Sequence, residues 1–210
     1  MPLANSKWRK EKQGGNAIVE FALVSVFLVP LLFGTFSIGM SLTKTVQASV
    51  VSRDAGAMFM RYVDFTNTTN RNMLLRIANG MGMTNTGGNG VVVLTKVMYI
   101  GVNECALIGL APANCPNYNR NVVVKRVTVG NNAVYTSPYG SPSAGILETN
   151  GEITASNYLN QASARADNFA SVMSLNPGEV AHVSEAYFNT PEIDLPGYRG
   201  GTYVYQRNIF

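Results

Sequence analysis

Residues 17–42 form a largely apolar run that carries no charge except Glu20, and beyond it the hydrophobic positions become periodic, as in a folded domain. Its 26 residues would reach roughly 39 Å as a helix, more than the ~30 Å hydrocarbon core of a bilayer. Pro30 falls within the run and removes the donor for the Val26 carbonyl, which predicts a helix kink between the two. Gly34, Ser37, Gly39 and Ser41 give the later half a small-residue side suited to packing against another helix. The helix is expected to continue to about Val63, with Val46, Val50, Val51, Met58 and Tyr62 near one side. A break over residues 64–70 follows, then a second helix capped by Thr69 and reaching Ala78, with Met73, Leu74 and Ile77 on its apolar side. Residues 80–90 read as a flexible glycine-rich linker.

The period then changes from helical to alternating. Residues 91–100, 121–129, 133–137, 179–188 and 202–210 are rich in β-branched and aromatic residues and bounded by Gly, Asn or Pro, which predicts strands of an antiparallel sheet. The first two are placed to form a hairpin. Between the third and fourth, residues 156–173 carry Leu159, Ala162, Ala166, Phe169, Ala170 and Met173 at helical intervals, ending before Pro177 and Gly178. The fold class is therefore α+β: a long N-terminal transmembrane and stalk helix, then an antiparallel-sheet head with short helices. The expected divisions are a basic leader, 1–15; the transmembrane and stalk helix, 16–64; a short helix and linker, 65–90; and the exported head, 91–210.

Charge sharpens this picture. The chain has 210 residues and a formal charge of +4, of which Lys7, Arg9, Lys10 and Lys12 less Glu11 supply +3 ahead of the apolar run. The rest carries almost no net charge, so there is no basic surface for nucleic acid. Basic residues before the run and only Lys44 close behind it predict a cytoplasmic N-terminus, with everything after about residue 43 exported. Cys105 and Cys115 flank a turn-rich loop that includes Gly109, Pro112 and Asn114, and a loop-closing disulfide suits an oxidising compartment. With His182 as the only histidine, no metal shell is expected, and no cofactor is indicated.

A carboxylate inside a membrane run costs ~2.5–3.5 kcal/mol at mid-helix and less near an end, where the helix dipole favours it. Glu20 is the fifth residue after Gly15, followed by Phe21 and an unbroken apolar stretch, behind a short basic leader. This arrangement resembles the type IV prepilin processing site. More narrowly, Gly15, Ala17, Val19, Glu20, Phe21, Ala22, Leu23, Val24 and Pro30 resemble the opening of the TadE-like proteins of the tight-adherence (Tad, or Flp) pilus system. The resemblance covers about a seventh of the chain. It implies cleavage after Gly15 by a prepilin peptidase, Asn16 as the mature N-terminus, and Glu20 facing the terminal amine of a neighbouring subunit. A buried ammonium and a buried carboxylate relieve one another's desolvation.

The adjoining Gly14 leaves a second glycine at which a cut can be argued, although only Gly15 puts Glu20 fifth. Chain length favours a minor pilin or pseudopilin over a main filament subunit. The implied partners are the bacterial inner membrane, the peptidase and other pilus subunits, with the head in the periplasm or assembled into an extracellular pilus.

No enzyme is indicated. Gly140 to Gly145 do not make a nucleophile elbow; Gly87, Gly88, Asn89 and Gly90 precede a strand rather than a helix; and Glu148 with Glu152, or Glu192 with Asp194, are paired only along the sequence. Tyr135, Tyr139, Tyr187, Tyr198, Tyr203 and Tyr205 supply aromatic hydroxyls suited to adhesion, or simply to strand packing. Alternatives are an uncleaved membrane-anchored periplasmic binding module, a cleaved signal peptide ending near Gly39, and a secreted hydrolase dependent on His182.

Overall fold

The computed structural model describes residues 16–190 and 203–210. Two compact units divide the chain, Met1–Met40 and Ser41–Phe210, and the boundary falls inside the first helix. That helix, α1, runs Asn16–Met60 and passes through Pro30 without interruption. In the first unit, Ile18, Phe21, Phe27 and Leu31 are all exposed. Ser25 and Thr35 return their hydroxyls to the carbonyls of Ala22 and Leu32, each at 2.9 Å, so neither leaves an unpaired donor on this apolar surface.

In the second unit, α1 buries Ala48, Val51, Ala55 and Phe59, positions three or four apart. The expected side was rotated from this one: Val51 is buried, but Val46, Val50 and Tyr62 are exposed. Small residues won the contact because they let the helix lie close to the sheet. At Gly56 a β-carbon would overlap the Phe210 ring and come within 3.0 Å of Ser184. The helix ends at Met60 rather than Val63. The Tyr62 and Val63 amides donate to the carbonyls of Phe59 and Met58, both at 3.1 Å, and Tyr62 takes φ of 61°, a left-handed stop.

Helix α2, Thr68–Ile77, is capped by Asn67, whose side chain accepts from the Thr69 amide at 2.8 Å, so Thr69 is not the cap. It buries Leu74 and leaves Met73 and Ile77 exposed, because a single turn meets the sheet layer. Residues 80–90 fold back on themselves. Met83 bridges to Gly88, the Asn89 amide donates to Gly82 O at 3.0 Å, and Met81 and Met83 are buried.

The described strands are β1, Gly90–Tyr99; β2, Asn121–Gly130; β3, Val180–Asn189; and β4, Tyr203–Ile209. They form one antiparallel sheet in the order β2-β1-β3-β4. One face carries Val92, Leu94, Val129, Ala186 and Phe188 and packs with α1, Phe65 and Leu74. Opposite it, Val97, Val123, Ala181 and Val183 lie beneath Tyr139, Ile153, Ala166 and Phe169. The β1–β2 hairpin shifts register after Lys96, leaving Val124 without a partner in a bulge. Its connection contains helix α3, Val102–Ala106, and the Cys105–Cys115 disulfide, whose cysteines are buried with Ile100, Val122 and Leu159.

Two expected elements are absent. Residues 133–137 form no strand: Asn131 holds a turn by accepting from the Ala133 amide at 3.0 Å, and the loop carries Tyr135 and Tyr139 onto the sheet. The single helix expected over 156–173 is divided into α4, Ala155–Asn160, and two 3₁₀ turns, Ala162–Ala164 and Asp167–Ser171. Buried Asn117 donates to the carbonyls of Tyr158 and Gln161, at 2.7 and 2.9 Å, and stops α4. The Ala166 amide then donates to Asn121 O at 2.8 Å, so tertiary hydrogen bonds replace helical ones.

Candidate functional site

In the first unit the features of interest are the helix start and its apolar surface. Asn16 begins α1, and Glu20 lies exposed in its second turn with Phe21 beside it. Gly15 and the leader 1–15 lie outside the described residues, as do Glu192, Asp194 and Tyr198. The helix is long and apolar enough to cross a membrane.

In the second unit, His182 stands in structural contacts among the described residues. Its ring meets Phe59 edge-on at 5.7 Å, its strand partner on one side is Lys96, and Ser184 is engaged by Ser52 Oγ, which donates to the Ser184 carbonyl at 3.0 Å. Burial, followed by the charge of Lys96, pushes the His182 imidazole below the ordinary value of 6.5. Glu148 and Glu152 are joined through the backbone, the Glu148 amide donating to Glu152 O at 2.8 Å, and the Glu152 carboxylate ion-pairs with Lys125 at 3.2 Å. Gly140 to Gly145 lie in a loop leading into a 3₁₀ turn at Ala144–Ile146. Gly87, Gly88 and Asn89 form the turn that leads into β1 at Gly90.

Glu185, a fully buried carboxylate on the face opposite α1, is not among the residues singled out from the sequence. Tyr135 and Tyr205 donate their hydroxyls to its Oε1, at 2.6 and 2.8 Å. Tyr135 stacks on Tyr187 at 5.1 Å, and Tyr187 on Tyr203 at 5.3 Å. Burial first, then bonding within this cluster, pushes both the Tyr135 and Tyr205 hydroxyls far up, so they remain donors. Arg126, lowered to about 10 by burial while Glu185 pulls it up, donates to Gly140 O at 2.6 Å and Tyr139 O at 2.8 Å. Arg207 lies over the Tyr139 ring and donates to its hydroxyl. Most of the expected tyrosine patch is therefore a structural polar network, with Tyr203 exposed at its margin. The hint available in the sequence was an acid within an otherwise alternating strand, five residues before Thr190-Pro191.

Residues 15–57 match the model of a family described as TadE-like protein. No curated protein matches the chain, and no solved structure does. The resemblance read from the sequence is thereby shown over α1. That family is a structural, non-enzymatic class.

Proposed function

We propose that this TadE-like chain is a minor pilin or pseudopilin that takes part in assembly of a Tad-type pilus and in surface adhesion. Residues 17–42 cross the bacterial inner membrane with the N-terminus cytoplasmic and residues 43–210 in the periplasm. A prepilin peptidase cuts between Gly15 and Asn16, and the Glu20 carboxylate then pairs with the Asn16 amine of a neighbouring subunit. In lipid each charge alone is costly, so the pair sets the register between helices. Pro30 bends the span by leaving the Val26 carbonyl without its donor. The observation that carries this reading is the family match over residues 15–57, which contains Glu20 at the fifth position and the uncovered apolar surface of α1.

Glu20→Ala and Glu20→Gln test it. Both variants are expected to accumulate in membranes at the normal level and to be lost from sheared filaments and from the assembly complex. Normal incorporation of both would contradict the role given to Glu20.

A further inference from the structure

Because α1 stops at Met60, the sheet row beyond Phe59 is left without helix over it. There the strands place three basic side chains in line. Lys125 of β2 is directly opposite Lys96 of β1, and Lys96 is directly opposite His182 of β3. Like charges at directly opposed positions weaken a sheet. The register shift that follows Lys96 falls at the same place.

This row, with Phe59, Tyr62, Glu152 and Tyr158, lines a cleft of about 300 Å³. The size is at the lower end for small-ligand pockets. The charges facing it do not cancel at Lys96. Lys125 has Glu152, while Asp64, which feels the charge of Lys125, has its Oδ1 engaged by the Thr66 amide and hydroxyl at 2.8 and 2.7 Å. Among the described residues the Lys96 ammonium has no ion pair and no hydrogen bond. On the rim, Tyr62 is held at φ 61°, a conformation an ordinary side chain adopts at a cost, with 80% of its surface exposed.

We infer that this cleft binds a carboxylate-bearing sugar unit of an acidic polysaccharide. Lys96 takes the carboxylate, the Tyr62 and Tyr158 rings cover apolar sugar faces, and Glu152 and His182 meet hydroxyl groups. A bare inorganic anion has no use for the two tyrosines. The inference concerns the Ser41–Phe210 unit and stands whether or not the chain is cleaved after Gly15.

The test is calorimetric titration of the full chain in detergent micelles with trigalacturonate, its neutral methyl ester and hexaglutamate. Trigalacturonate is expected to bind, and the methyl ester to bind about tenfold more weakly or worse. Lys96→Gln is expected to lose a similar factor toward trigalacturonate. Tyr62→Gly is expected to weaken binding several-fold while raising the melting temperature, which separates loss of the ring from loss of the fold. Absence of trigalacturonate binding, equal binding of the methyl ester, or indifference to Lys96→Gln would overturn the inference. Hexaglutamate binding as tightly as trigalacturonate would overturn the sugar assignment and make the cleft a peptide site.

Discussion

Tyr62 occupies a backbone position that glycine ordinarily fills, and a non-glycine residue there costs roughly 1–2 kcal/mol. Tyr62→Gly is accordingly expected to stabilise the fold by up to about 1 kcal/mol, since glycine's greater unfolded-state freedom offsets part of the gain. Thermal denaturation reads this as a melting point raised by a few degrees. The opposite outcome is expected at Gly56, where the Phe210 ring and Ser184 close off the space above the helix. Gly56→Val should cost about 1–3 kcal/mol by forcing α1 away from the sheet, measurable by chemical denaturation.

His182 adds a pH dependence at this scale. Its folded value lies below the ordinary 6.5, so the unfolded chain takes up a proton first as pH falls. The stability associated with it is fully present above about pH 6.5 and is lost as pH falls through the folded value. Denaturation midpoints between pH 7.5 and 5.5 should therefore fall in the native chain and change less in His182→Gln.

Among the elements, the strands with long β-branched runs were legible and the helices with weak periodicity were not. Val91, Val92, Val93 and Leu94 mark β1 because the strand is covered on both faces. Helix α4 stops after Asn160 because Asn117, some forty residues earlier in the chain, takes up its last carbonyls. No local pattern carries that information. In the same way the row of Lys125, Lys96 and His182 exists only once register is known, since it joins three strands distant in sequence. The disulfide was legible because its loop is short and its flanks are strands. Closing that loop contributes on the order of 2–3 kcal/mol, so the double variant Cys105→Ser, Cys115→Ser should melt several degrees lower while keeping its circular dichroism spectrum. An unchanged melting point would show the staple to be energetically silent.

At the scale of the molecule, the two units differ in how sequence order encodes them. The membrane run, Glu20 and Phe21 are read directly from order along the chain, because the spacing from Gly15 is a one-dimensional signal. The Ser41–Phe210 unit is built from pairings that sequence order conceals, which is why its cleft and its Glu185 network emerged only from the fold. The proposed processing and assembly as a pilin turn on a single peptide bond. The most direct measurement is the mass of the N-terminal peptide of the protein isolated from its native membrane. The account predicts a peptide beginning at Asn16. An intact leader, or a start at Met40, would contradict it.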